Sequence, residues 1–142
     1  MNVVKKLAAV AMLASSLILT GCGQSQIGSV NIDKVMAEAP RVKTLMTEAE
    51  GKIKETEEKF QQDYGNKEMT EEETAKAQIE FQRKLEGINQ AYATQIKSRM
   101  DVVIEEISRE KNIDIVINNS EDSKLIFHGA IDVTDDVIKK MQ

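Results

Sequence analysis

Two series of apolar residues, spaced alternately four and three residues apart, restrict the fold of this chain more than any other feature. The first series has spacings of 4-3-4-3-4-3-4 and consists of Val35, Ala39, Val42, Met46, Ala49, Ile53, Thr56 and Phe60. The second has spacings of 4-3-4-4-4-3-4 and consists of Phe81, Leu85, Ile88, Tyr92, Ile96, Met100, Val103 and Ile107. Because this spacing places apolar side chains along one stripe of a helix, both segments are predicted to form coiled-coil helices.

The segment between the two series carries the signals of a chain reversal. Pro40 can occupy the first turn of the first helix but not its interior, so that helix is predicted to begin there. Gly65 and Asn66 can adopt the left-handed conformations that a tight turn needs. Thr70 followed by Glu73 is a capping box and predicts the start of the second helix.

Residues that face each other in an antiparallel hairpin have a nearly constant sum of residue numbers. Pairing Ile53 with Phe81 and Val42 with Tyr92 gives 134 in both cases. The turn is therefore predicted to centre on residue 67, inside the segment that carries the reversal signals. At 1.5 Å per residue the hairpin would be roughly 50 Å long.

The two ends of the chain are predicted to form a small body at the base of this hairpin. Short apolar, β-branched segments at 27–32, 113–117 and 124–128 predict three strands. Asp33 is expected to cap a short helix up to Glu38, and Thr134 to cap a closing helix whose charges match the helix dipole. The fold class is thus α+β, with a body formed by residues 27–39 and 101–142 and a hairpin over about 40–100.

The start of the chain has the pattern of an export signal. Lys5-Lys6 precedes an apolar stretch over 7–19, which is shorter than the roughly 20 residues of a membrane span. The residues 19–21 and Cys22 resemble the lipobox of bacterial lipoproteins, in which the cysteine is acylated after cleavage. We therefore expect a signal peptide over 1–21, a lipidated tether over 22–26 and a single domain over 27–142.

Composition limits the functions open to such a domain. Removal of residues 1–21 takes Lys5 and Lys6 away and changes the formal charge from −5 to −7, which argues against nucleic acid as a partner. Cys22 is the only cysteine, so no internal disulfide can form. His128 is the sole histidine and has no catalytic partner in a motif. We expect no enzyme, no cofactor and no metal site.

The order of elements, and the residues at the two ends of the domain, resemble the Skp/OmpH family of periplasmic chaperones. The resemblance is carried mainly by 27–40 and 112–138, and the hairpin matches by length and pattern. It implies a homotrimer whose three hairpins surround a cavity. Unfolded outer-membrane β-barrel proteins would be held in that cavity without ATP.

Apolar residues outside the predicted seam are the candidates for contact with such clients. Leu45 and Ile79 flank the seam, and Met69 lies beside the tip with a flexible side chain suited to varied partners. The alternative is structural: Leu45 and Ile79 would widen the packed stripe, and Met69 would close the turn.

Two features depart from the well-studied members of that family, which are soluble and strongly basic. Between Glu50 and Lys76, nine acidic residues outnumber five lysines, so the hairpin does not favour binding of lipopolysaccharide. Cys22 implies a tether to the membrane. Gly23 follows it where an aspartate would resemble an inner-membrane retention signal, so the periplasmic face of the outer membrane is the expected location.

Two other functions remain open at this point. The chain could be a structural coiled-coil lipoprotein that spaces the envelope and binds a fixed protein partner. It could also be an adaptor whose closing helix, over 134–140, docks on another envelope complex.

Overall fold

The structure, a computed structural model, describes residues 25–121 and 128–142. Its elements in chain order are β1 (Ile27–Val30), α1 (Ile32–Glu38), α2 (Pro40–Tyr64), α3 (Glu71–Lys111), β2 (Ile115–Asn118), β3 (Ile131–Asp132) and α4 (Thr134–Lys140). The long helices α2 and α3 pack against each other as a hairpin, and a small sheet lies at its base. The predicted α+β class with a long helical hairpin is confirmed.

The helix boundaries predicted for the hairpin agree closely with the structure. α2 begins at Pro40 and has 25 residues, whereas α3 has 41. The capping box is present, because the Thr70 hydroxyl accepts a hydrogen bond from the Glu73 backbone N–H and the Glu73 carboxylate accepts one from the Thr70 N–H. The reversal therefore lies where the sequence signals placed it.

The backbone at Gly65 differs from the prediction. Its φ of −62° and ψ of −25° are right-handed, so the expected left-handed conformation at this glycine was wrong. The Gly65 N–H donates to the Gln61 carbonyl oxygen at 2.8 Å, and a Cβ built on Gly65 would lie 2.5 Å from that oxygen. Glycine is needed here for close approach to the end of α2.

The register of the hairpin also differs from the prediction. Phe81 faces Phe60, with ring centroids 4.5 Å apart, and not Ile53. The residue numbers of Phe60 and Phe81 sum to 141 instead of 134, so the facing residues are shifted by seven positions, one heptad. The predicted centre of the hairpin at residue 67 was therefore wrong, and it lies near residue 70. Met69, in the connection between the helices, shares a hollow with Tyr64 and Ala77.

The sheet is parallel, with β1 in the centre and the strand order β2-β1-β3. Ile27 pairs with Ile115, and Gly28 pairs with Ile131. The strands predicted over 27–32 and 113–117 are confirmed with shifted ends. The strand β3 was not predicted.

The third predicted strand, over 124–128, falls mostly outside the described residues. His128 is described, and it lies in an exposed bend instead of a strand. Among the described residues, the third strand of the sheet is β3, whose two residues lie just before α4.

Two predicted helix caps were wrong. The N-cap of α1 is Asn31, whose side-chain oxygen accepts from the Lys34 N–H at 2.9 Å, and Asp33 lies inside the first turn. Thr134 is the first residue of α4, and its N–H donates to the Asp132 carboxylate at 2.9 Å. Asn31 has the extended backbone and the side-chain acceptor that an N-cap requires. The N-cap position of α4 is Val133, which makes no side-chain cap hydrogen bond.

A single core joins the base of the hairpin to the body. Its fully buried side chains come from α1, α2, α3 and the C-terminal segment, and they are Val35, Val42, Leu45, Val103, Ile107, Val133, Val137 and Met141. α4 packs against α1 and α3. A helix that supplies core residues cannot be removed or docked elsewhere without loss of the fold, which weakens the adaptor interpretation.

Candidate interaction surface: an apolar groove at the hairpin base

An open apolar groove of about 600 Å³ lies where α1 meets the α2–α3 hairpin. We call it the basal groove. Its apolar lining residues are Ile32, Met36, Met46, Ala49, Ile53, Tyr92, Ala93, Ile96, Met100 and Ile104. Four polar residues complete the lining, namely Glu50, Asn89, Lys97 and Asp101.

The groove exists because the chain breaks between α1 and α2. Ala39 has an extended backbone, with φ −64° and ψ 127°, as is typical of a residue that precedes proline. The break ends α1 while the Ala39 N–H still bonds to the Val35 carbonyl at 2.9 Å. Ile32 and Met36 therefore lie beside the helix pair as one wall of the groove.

The structure exchanges the roles predicted for two neighbouring residues of α2. Met46, predicted in the seam, is 47% exposed and lines the groove, whereas Leu45 is 1% exposed and belongs to the core. Near its base, α2 must pack against the body as well as against α3, and this turns the buried stripe towards Leu45. The structural alternative for Leu45 is thus supported, and Leu45 presents no surface to a client in this chain.

The other two predicted contact residues lie near the tip, away from the groove. Ile79 is 53% exposed on α3. Met69 is half-buried in a hollow that Tyr64 and Ala77 also line. The structure therefore does not bring Leu45, Met69 and Ile79 together into one surface.

The predicted seam is only partly closed in the outer part of the hairpin. Its residues there are all half-buried, namely Ala49, Ile53, Phe60, Phe81, Leu85, Ile88 and Tyr92. The Phe60 ring also contacts Tyr64, with centroids 5.1 Å apart. Aromatic packing closes the tip, while the basal groove interrupts the packing between Ala49 and Tyr92 nearer the body.

The charged side chains at the rim of the groove leave one net negative charge. Lys97 and Asp101 form an ion pair at 2.6 Å. Glu50 takes part in none of the ion pairs within residues 25–121 and 128–142. The groove therefore combines apolar walls with one uncompensated carboxylate.

The outer half of the hairpin is strongly acidic. Between Glu55 and Glu80 there are nine acidic residues and three lysines. Some acids are paired: a hydrogen bond from Lys84 lowers the pKa of Glu80, and one from Lys52 lowers the pKa of Glu55. The excess of acidic residues over lysines gives the outer half of the hairpin a net negative formal charge.

A second apolar surface lies on the sheet. Ile27, Ile115 and Ile131 are 40%, 55% and 38% exposed. Ile27 and Ile115 are register partners in neighbouring parallel strands, so their side chains lie next to each other on the same face. Ile131 pairs with Gly28, one position after Ile27, so its side chain lies on the opposite face of the sheet. Ile27 and Ile115 thus form one exposed apolar face that this chain alone does not cover.

The described residues offer little else for chemistry. Within 25–121 and 128–142, no three His, Cys, Asp or Glu residues are placed to hold a metal ion. No helix in that part of the chain has the length and apolar character needed to cross a membrane. Cys22, the predicted lipidation site, lies outside the described residues.

Comparison with known proteins gives one family match. The family model described as "Outer membrane protein (OmpH-like)" matches residues 26–141. No curated protein matches the chain significantly. The matched range begins just before β1 and ends just after α4, so it contains the hairpin, the sheet and the groove.

Proposed function

The chain belongs to the OmpH family, and on this premise we propose that it is an ATP-independent holdase for unfolded outer-membrane β-barrel proteins. Proteins of this family are non-enzymatic chaperones of the cell envelope. The finer assignment to a holdase is carried by one observation, the open apolar groove beside a long, partly unpacked hairpin.

An unfolded β-barrel protein presents the surfaces that such a structure can cover. Its strands carry apolar side chains at alternate positions and unpaired backbone groups at their edges, and both promote aggregation. A holdase has to bind many such segments weakly and release them without ATP. Shallow apolar surface with flexible methionines, such as Met36, Met46 and Met100 in the groove, meets this requirement better than a deep specific pocket.

We propose that the functional assembly is a homotrimer joined through the sheets. Ile27 and Ile115, adjacent on one face of the sheet, are the exposed apolar residues that contact between bodies would bury. Light scattering on the purified chain should give three times the chain mass. Ile115→Lys should lower that mass, whereas Ile79→Lys, an equally exposed change near the hairpin tip, should not.

We further propose that Cys22 carries the lipid that holds the protein at the periplasmic face of the outer membrane. The support is the position of Cys22 after a short apolar run. Two or three acyl chains give lasting attachment, since each buried methylene contributes about 0.8 kcal/mol and a single chain holds only reversibly. Mass spectrometry of the membrane-extracted protein should show an acylated Cys22, and an unmodified thiol would overturn this assignment.

The acidic tip bears on the choice of clients and partners. Repulsion from nine acids between Glu55 and Glu80 disfavours anionic lipid headgroups, so we do not include lipopolysaccharide among the ligands.

The holdase assignment can be tested by turbidity. A urea-unfolded outer-membrane β-barrel protein is diluted into buffer with increasing amounts of the chain. Suppression of aggregation that saturates near three chains per client, for several unrelated clients, is the expected result. No suppression at any ratio would overturn the holdase and leave a structural envelope lipoprotein with a fixed partner.

A further inference from the structure

We propose that the basal groove binds about six or seven residues of one extended client strand, with a basic residue of that strand at the Glu50 end. This inference rests on the proposed holdase function and deepens it, because it names the segment and the charge of the client that the chain recognises. The argument uses the length, the lining and the rim charges of the groove.

The length of the groove fits an extended peptide. Along α3 it runs from Asn89 to Ile104, which is about 22 Å at 1.5 Å per residue. An extended strand rises about 3.3 Å per residue, so six or seven residues cover this length. A transmembrane β-strand has about 9–11 residues, so the groove would take most of one strand.

The lining of the groove fits one face of such a strand. Its walls are apolar on both sides, with Ile32 and Met36 facing residues of α2 and α3. A membrane-spanning strand has apolar side chains at every second position, and these would point together into the groove. The polar side chains between them would point outward to solvent and would keep their hydration.

The size of the groove argues against a second copy of this chain as its occupant. A volume of about 600 Å³ lies within the range of about 300–1,000 Å³ that is typical of ligand sites. A stable interface between folded proteins buries about 800 Å² on each partner, over a flatter surface. The exposed isoleucines of the sheet offer a surface better suited to self-association.

The charges set the polarity of the bound strand. In the hairpin, Glu50 and Ile53 of α2 lie beside Asn89 and Tyr92 of α3, so Glu50 marks the outer end of the groove. At the inner end, Lys97 and Asp101 neutralise each other. Beyond the outer end begins the acidic half of the hairpin. A lysine or arginine next to the apolar residues of a client is therefore favoured at the outer end.

The inference can be tested with two fluorescein-labelled seven-residue peptides and the chain as purified from the cell envelope. Both peptides alternate leucine and threonine, and one ends in two lysines, the other in two glutamates. Fluorescence anisotropy at low salt should show the lysine peptide binding about five- to tenfold more tightly, as expected for one close charge pair near a protein surface. Glu50→Lys should abolish that preference, whereas Glu57→Lys, one heptad beyond the groove, should retain most of it.

A second pair of variants tests the apolar walls. Met46→Glu should weaken binding of both peptides at least tenfold, and Val102→Glu, outside the groove, should leave it unchanged. Both side chains are 47% exposed, so neither change removes core packing, and circular dichroism should confirm intact folds.

Several results would overturn the inference. They are absence of binding of either peptide to the unmodified chain, equal losses in Met46→Glu and Val102→Glu, and equal affinity for the two peptides. A lower assembly mass for Met46→Glu would also overturn it, since a second copy would then occupy the groove. If the chain suppressed client aggregation but bound neither peptide, the groove would not be the client site, while the holdase function would stand. If it bound the peptides but did not suppress aggregation, the holdase function would be wrong, while the groove would still be a peptide site.

Discussion

The Phe60 and Phe81 rings lie with their centroids 4.5 Å apart and their planes inclined by 30°, in the outer part of the hairpin. This tilted contact connects α2 to α3, and Tyr64 extends it towards the turn. Half-buried aliphatic residues make up the rest of the outer seam. The aromatic contact is therefore the main feature that fixes which heptad of α2 faces which heptad of α3.

Phe81→Ala should loosen the tip while leaving the base intact. Replacing a fully buried phenylalanine with alanine lowers the free energy of unfolding by about 3–5 kcal/mol. Phe81 is only half-buried, so its replacement should cost less. Hydrogen exchange should show faster exchange for amides near the turn and unchanged exchange around Val103. Leu85→Ala, one turn nearer the body, is the matched control and should affect the turn less. Equal protection of the tip in both variants would show that the aromatic pair does not determine the register.

The heptad pattern predicted the existence of the hairpin but could not predict its register. A seam repeats every seven residues, so a shift of one heptad again places apolar residues opposite apolar residues. Phe81 can face Ile53 or Phe60 without any apolar residue leaving the stripe. The structure selects Phe60 through the aromatic contact with Phe81, which a pattern that counts both residues simply as apolar does not distinguish from contact with Ile53.

Thr134→Val should destabilise the body. The Thr134 hydroxyl accepts a hydrogen bond from the Asn31 N–H at 2.9 Å and donates one to the Asp132 carboxylate at 2.6 Å. Valine keeps the shape of the side chain but leaves these partners unsatisfied in a site that is 4% exposed. A loss of about 1–3 kcal/mol is expected, measured by urea unfolding.

Two controls make the measurement at Thr134 specific. Thr134→Ser keeps the hydroxyl and should recover most of the stability. Thr44→Val removes a hydroxyl that only bonds to the Pro40 carbonyl within an exposed turn of α2, and it should be nearly neutral. If Thr134→Val were as stable as the unmodified chain, the contact between the segment at Asn31 and the start of α4 would not depend on the Thr134 hydroxyl.

Thr70→Ala should fray the start of α3. In this variant the Glu73 N–H loses its acceptor, the Thr70 hydroxyl, and the Glu73 carboxylate loses the hydrogen bond that this hydroxyl donates. The backbone N–H of residue 70 can still donate to the Glu73 carboxylate. The expected cost is about 1 kcal/mol, felt locally, since the tip has little buried surface. Limited proteolysis should cut first in the segment between the helices. Thr74→Ala, which removes a hydroxyl bonded only to the Thr70 carbonyl, should leave the cleavage rate close to that of the unmodified chain.

The pattern of the sequence also could not assign Leu45 and Met46 correctly. A strict 3-4 spacing selects Met46, but the body adds a second packing surface near the base of α2, and Leu45 faces it. Since the body is formed by residues distant in sequence, such as Val103 and Val137, no local pattern reports its position. The groove was missed for the same reason, although the Ala39-Pro40 break was visible as the point where α1 must turn away.

The ion pair between Lys34 and Asp135, at 2.8 Å, should make the stability of the body depend on pH. The hydrogen bond from Lys34 and its positive charge lower the pKa of Asp135 below its usual 3.8. A depressed carboxyl pKa stabilises the fold fully above the unfolded value of 3.8, and this contribution is lost as the pH falls through the lower folded value. Lys34→Met should therefore lower the Tm at about pH 7, and the difference from the unmodified chain should shrink as the pH falls below 3.8 and the Asp135 carboxyl takes up its proton. The effect is small because both side chains are exposed, and salt should reduce it.

Lys43→Met removes the same charge from a lysine outside the ion pairs of the described residues, so its difference from the unmodified chain should not follow the titration of Asp135. Parallel pH profiles for the two variants would show that the link between α1 and α4 does not rest on this pair.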